Sequence, residues 1–229
     1  MGKDSDKRKK NSETKNKKSI FSFLKRWREY SEITNAGPIY RRFFVKNGFD
    51  GALTILGIII GAWLANGGLY NIPGSLIFEV SEIKYIIFSG LGASLSMGVS
   101  GLWGSFLTES AERKKELDDL EKSMVVKHGS FRNTYITKAQ RFSATFAAII
   151  DGVSPALFAI ICLLPFFFGV NLPPTSFIFT GSLIITYIVL FFLGVFLGRV
   201  SKKNILVYGI KMATAGIVVA LLFIFFPTT

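Results

Sequence analysis

The sequence is poor in the residues that disulfide frameworks and most catalytic sites need. It has one cysteine, Cys162, and one histidine, His128, among 229 residues. A lone cysteine excludes an intrachain disulfide, and its apolar surroundings suit a small buried hydrophobe. Charge is missing from whole tracts: Gly51 to Phe78, Tyr85 to Thr108 and Gly152 to Gly198 contain no Asp, Glu, Lys or Arg. Yet the chain carries a formal net charge of +12, with half of its residues hydrophobic and 23 of them Phe. A soluble domain does not combine these features. A membrane protein does, by segregating them along the chain.

One helix needs about 20 apolar residues to cross a bilayer. The third charge-free tract is far longer than that, so it must contain a break. Gly169-Val170-Asn171-Leu172-Pro173-Pro174 supplies one, because two prolines cannot continue a helix and the glycine and asparagine suit a turn. The expected fold is an all-α membrane protein with five transmembrane helices, near Gly48–Leu69, Tyr85–Leu107, Phe142–Leu164, Phe177–Gly198 and Ile205–Phe226.

Short loops rich in Lys and Arg stay cytosolic. Residues 1–46 hold 14 of these residues, Arg113 to Arg141 hold 8, and Arg199, Lys202 and Lys203 follow span four. The opposite side has only Lys84. The expected topology therefore has the N-terminus in the cytosol and the C-terminus outside. The organisation that follows is a basic cytosolic arm at 1–45, spans one and two at 46–107, a cytosolic helical linker at 108–141, and spans three to five at 142–229.

The first 18 residues, with no apolar run behind their charges, read as a disordered segment rather than a signal peptide or a span. Ser19 to Tyr30 interleaves aromatic and basic residues, a pattern suited to an anionic membrane surface. Membrane lipid is thus the expected partner of this arm. Nucleic acid is not, because the attached spans already account for positive charge on the cytosolic side.

Two segments are weakly alike: Asp50-Gly51-Ala52-Leu53-Thr54-Ile55-Leu56 and Asp151-Gly152-Val153-Ser154-Pro155-Ala156-Leu157. Each opens an apolar run entered from the cytosol, so a duplicated helix pair would be parallel rather than inverted. Ionisable groups inside spans are rare and expensive, which makes Asp50, Asp151 and Lys211 functional candidates. Asp151 and Lys211 lie about 13 and 10 Å from the cytosolic ends of their spans at the helical rise per residue. That similarity of depth predicts an ion pair. Asp50 is open to two readings, a cap at the start of span one or a ligand on an ion path.

Span two is rich in small residues from Gly90 to Ser105, which lets helix backbones approach closely. Within it Met97 carries a thioether able to ligate a soft or borderline metal, although filling a packing gap is the competing role. Gly98-Val99-Ser100-Gly101 matches the G-x-S-G motif of intramembrane serine proteases. Such a serine needs a neighbouring base. His128 falls in the cytosolic linker, so no span supplies it and no enzyme is expected.

After span two, strong helix formers continue from Thr108 to Met124 without Gly or Pro, which predicts a helix running on into the cytosol. Glu109, Glu112, Glu116 and Asp119 recur at steps of three, four and three, placing four carboxylates on one face. A cation would relieve their repulsion. A solvated charged helix, with Lys115 and Lys122 interspersed, is the alternative.

The pattern resembles the vacuolar iron transporter family. The matching residues are Asp50-Gly51 with Gly57 and Gly61, then Ala93-Ser94-Leu95-Ser96-Met97-Gly98, then the charged extension from Glu109. Gly152-Val153-Ser154-Pro155, Leu164-Pro165-Phe166 and Gly194-Val195-Phe196-Leu197-Gly198-Arg199-Val200-Ser201 look like the family's third and fourth spans. The resemblance covers residues 46–226. It implies a homodimeric exporter of cytosolic ferrous iron or manganese, driven by proton exchange, with Asp50 and Met97 on the path. No permanently bound cofactor is implied, because Fe2+ or Mn2+ is the cargo. Two departures stand out: the best-known members have Glu where Gly101 stands here, and their cytosolic metal-binding domain is larger. The expected location is a prokaryotic plasma membrane. A membrane-anchored interaction protein, with an acidic helix and a basic arm that bind partners, is the alternative from a different class.

Overall fold

The computed structural model describes residues 22, 25–65, 80–127, 129–131, 134–169 and 176–225. The described residues are helical without a strand: α1 (residues 25–33), α2 (Gly37–Ala65), α3 (Val80–Ser123), α4 (Tyr135–Gly169), α5 (Ser176–Val200) and α6 (Ile205–Phe225). Five of them, α2 to α6, are long and apolar enough to cross a membrane. The five expected spans fall on these helices in order. The first 18 residues, His128 and most of the expected break at 169–174 lie outside the described residues; α4 itself ends at Gly169.

Three helix ends use one device. Asn35, Val125 and Lys202 adopt positive φ of 46°, 54° and 52°. In each case the next residue donates its N–H five residues back: Ala36 to Ser31, Val126 to Glu121 and Lys203 to Gly198. A left-handed residue turns the chain so that these last carbonyls are satisfied. After Asn35 the chain restarts at once, with Pro38 in the first turn of α2, where its missing N–H costs nothing. Helix α2 therefore begins well before the apolar run that marks span one in the sequence. Helix α3 is 44 residues long, about 66 Å at the helical rise, roughly twice a bilayer's hydrocarbon thickness. It continues past the apolar part of span two as its composition predicts.

The chain divides into two compact units, one formed by residues up to Ile39 with Phe106–Ala147, the other by Tyr40–Ser105 with Ala148–Thr229. The first holds α1, the charged half of α3 and the start of α4. Its core is aromatic. Tyr30 meets Tyr135 and Phe142 edge-on, Trp27 lies 5.7 Å from Phe146, and Phe142 stacks on Phe146. Thr34 and Ser143 hydroxyls bond at 2.7 Å. The aromatics of the basic arm within the described residues thus pack on α4, whereas a membrane surface was their expected neighbour. Glu121 is buried and closes the turn after α3, accepting the N–H groups of Gly129 and Phe131 at 2.7 and 2.8 Å.

The second unit holds the apolar helices. Ile55 and Ile59 of α2, Ile83 and Ile87 of α3, Leu163 and Phe166 of α4, and Phe179 and Leu190 of α5 form one buried cluster. Leu56, Ile60 and Leu64 on another side of α2 pack against Phe223 of α6. Glycines set how closely the helices approach. A Cβ on Gly98 would lie 2.7 Å from the Gly152 carbonyl oxygen, and one on Gly152 would lie 2.7 Å from the Gly98 oxygen. A Cβ on Gly51 would lie 2.8 Å from the Cα of Pro155. These are backbone contacts, which no rotamer change relieves.

Gly152→Ala should therefore destabilise the protein by about 1–3 kcal/mol, the range for overpacking a tight contact. Gly92 has nothing within 4 Å of its Cβ position, so Gly92→Ala should be neutral or stabilise by up to about 1 kcal/mol through helix propensity. Thermal unfolding of the two variants in one detergent checks the contrast. Equal midpoints would show that the α3–α4 approach is not tight.

Candidate functional site

Two sets of polar side chains sit among the apolar helices of the second unit. The first centres on Met97. Its Sδ accepts a hydrogen bond from the Thr54 hydroxyl at 3.6 Å. Thr54 follows Asp50 by four residues, so the two occupy one face of α2 a single turn apart. Asp50 is exposed on the single chain and stands about 20 Å from the start of α2 at Gly37 by the helical rise. That position removes the capping reading: a cap belongs at the helix end, and Asp50 is deep in the helix.

The second set centres on Asp151, which is 7 % exposed. Its Oδ2 accepts the hydroxyl hydrogen of Ser105, itself buried, in a short hydrogen bond across α3 and α4. The expected pairing with Lys211 is not formed. Lys211 is exposed on α6, with its ammonium 5.7 Å from the ring of Tyr208, one turn before it on the same helix. Similar depth in the membrane was the basis of the pairing, but depth carries no information about which faces of α4 and α6 meet. Asp151 turns instead towards α3, where Gly101 leaves room: a Cβ there would lie 3.1 Å from Asp151 Oδ2 and 3.2 Å from its main-chain oxygen.

In the first unit the acidic face of α3 is largely matched by bases on the same helix. Buried Arg113 lies 3.0 Å from Glu116 and 3.9 Å from Glu109. Lys122 lies 3.8 Å from Asp119. Glu116 also accepts a hydrogen bond from Gln140 of α4 at 3.4 Å. Glu112 is exposed. Among the described residues no three Asp, Glu, His or Cys side chains are grouped closely enough to hold a metal ion. The i,i+4 and i,i+3 spacings of Glu109, Arg113 and Glu116 were visible in the sequence and point to these pairs. Thr54 and Ser105 were not singled out by sequence, although Ser105 follows Met97 by eight residues and Gly101 by four, along one stripe of α3.

The class these features define is a helical membrane protein that places carboxylates, a thioether and hydroxyls on its apolar helices. Comparison with known proteins agrees with that class. The VIT family profile matches residues 115–226. An uncharacterised protein of Methanocaldococcus jannaschii is 32 % identical over 181 residues, covering 79 % of this chain and 85 % of that protein. No solved structure matches the chain. The chain belongs to the VIT family, a family of iron and manganese transporters and not of catalysts.

Arg113 already pairs with Glu109 and Glu116, so a cation taken up by these carboxylates would have to displace it. If these carboxylates take up metal, Arg113→Gln should lower the Mn2+ concentration that half-saturates the purified protein by roughly three- to tenfold, equivalent to about 0.7–1.4 kcal/mol. Isothermal titration at fixed ionic strength checks this. An unchanged isotherm would mean that the α3 acids take no part in binding metal.

Proposed function

We propose that the protein exports ferrous iron or manganese from the cytosol in exchange for protons. The observation that carries this reading is the meeting of Met97 Sδ with Thr54, one helical turn from Asp50, within a chain of the VIT family. The Asp50 carboxylate attracts a divalent cation, and the thioether favours iron and manganese over calcium and magnesium, which take oxygen ligands alone. An arriving cytosolic cation displaces a proton from Asp50 into the cytosol, and a proton taken up from the outside resets the site after the cation has left. Glu109, Glu112, Glu116 and Asp119 collect cytosolic metal weakly ahead of this step, in competition with Arg113 and Lys122. The working unit is a homodimer in a prokaryotic plasma membrane, with the N-terminus cytosolic and the C-terminus outside.

Transport by the purified protein in liposomes tests the reading. Mn2+ uptake should appear with counterflow of protons, and Asp50→Asn should abolish both while leaving the thermal midpoint within a few degrees. Met97→Leu should keep Mn2+ uptake and reduce its preference over Ca2+. Wild-type liposomes that move neither Mn2+ nor Fe2+ would favour the alternative, a membrane-anchored interaction protein. Full activity in folded Asp50→Asn would remove this residue from the mechanism.

The topology has its own check. A reporter fused after Thr229 should be found outside the cytosol and one inserted at residue 125 inside it. Both on one side would defeat the five-span arrangement.

A further inference from the structure

Asp151 is a buried carboxylate in an apolar helix, and no ion pair among the described residues includes it. An unpaired charge at such a position is costly to keep and marks function by default. Three features around it point the same way. The Ser105 hydroxyl is fixed on the carboxylate from α3. Pro155 stands four residues after Asp151 within α4 and has no N–H to give the Asp151 carbonyl, so that oxygen lacks its regular helical partner. Both Asp151 oxygens, carboxylate Oδ2 and main-chain carbonyl, face the position that a side chain on Gly101 would take: a Cβ there would lie 3.1 and 3.2 Å from them.

We propose that Asp151 and Ser105 form a second intramembrane cation station, built from the Asp151 carboxylate, its main-chain carbonyl and the Ser105 hydroxyl. The station takes a divalent cation, and it rests on the transport reading above for its place on a path. Ser105 follows Met97 by eight residues of α3, about 12 Å along the helix. The two stations are therefore distinct sites on one stripe of that helix. Their chemistry also differs. An all-oxygen station suits hard and borderline divalent ions alike and discriminates little between them. Asp151 governs how tightly a cation is held, whereas Met97 governs which cation is preferred. Gly101 is part of the station by having no side chain.

The experiment is Mn2+ and Ca2+ binding to the purified full-length protein, read by Mn2+ electron paramagnetic resonance with Ca2+ as competitor, alongside liposome uptake. Asp151→Asn keeps the size of the side chain and removes the charge. It should weaken Mn2+ and Ca2+ together by at least about tenfold, leaving their ratio unchanged. Gly101→Ala removes no ligand, and its Cβ would lie 3.1–3.3 Å from Asp151 atoms rather than at the 2.7 Å found for Gly152, so it crowds the seam less than Gly152→Ala. Its methyl group would abut both Asp151 oxygens and should weaken binding in the same unselective way, which keeps the test decisive if Asp151→Asn does not fold. Wild-type Mn2+ binding and uptake in a folded Gly101→Ala or Asp151→Asn protein would overturn the station. A wild-type protein that binds Mn2+ in this manner but carries none across the liposome membrane would overturn the transport reading and leave the station intact.

Discussion

Close contact between helix backbones is the constraint on which the rest of this structure depends. Among lipid tails, apolar side chains gain little by hiding from their surroundings, so helices associate through van der Waals fit and hydrogen bonds. Gly98 against Gly152, and Gly51 against Pro155, bring α3 and α2 onto α4 at distances that exclude even a methyl group. Each of these glycines has a neighbour that matters chemically. Gly51 follows Asp50, Gly152 follows Asp151 and Gly98 follows Met97. The contacts that make the bundle tight thus lie beside Asp151 and Met97, which meet neighbouring helices, and beside Asp50, which is exposed on the single chain.

That coupling gives the two Asp-Gly pairs a physical meaning beyond a faint repeat. In each, the glycine permits the approach and the aspartate stands one residue away from it. Their surroundings nevertheless differ. Asp50 is exposed on the single chain and shares a helix face with Thr54, while Asp151 is buried with Ser105. A duplicated motif has been placed in two environments, and environment decides what a carboxylate does. Proline adds to the difference. Pro155 follows Asp151 by four residues and frees a carbonyl there, whereas the matching position after Asp50 is Thr54, whose N–H keeps the helix ladder available and whose hydroxyl reaches Met97 instead.

Much of this was legible in the sequence. Five apolar runs and the continuation of α3 past span two follow from charge-free length and helix formers. Faces were harder to read. The mean position of Lys211 along its span matched that of Asp151, but a one-dimensional depth does not say which way either side chain points. The start of α2 was also hidden, because Arg41, Arg42 and Lys46 interrupt the apolar pattern while doing nothing to stop a helix. The signal that extends it is local: a left-handed Asn35 ending one helix and Pro38 opening the next. For the acidic face, counting carboxylates along the helix identified the stripe, but Arg113 at its edge turns two of them into ion-pair partners.

The proposed path separates two tasks that one site performs poorly. Tight capture calls for negative charge and several oxygens, and such a site holds calcium and magnesium as readily as manganese. Discrimination calls for a softer donor, and a thioether binds weakly without a carboxylate nearby. In the proposed path Met97 meets Thr54, one turn from Asp50 on α2, and Asp151 meets Ser105 further along α3, so affinity and selectivity are assigned to different residues. A path built this way can hold a cation at each step without holding it so firmly at any one that it fails to leave.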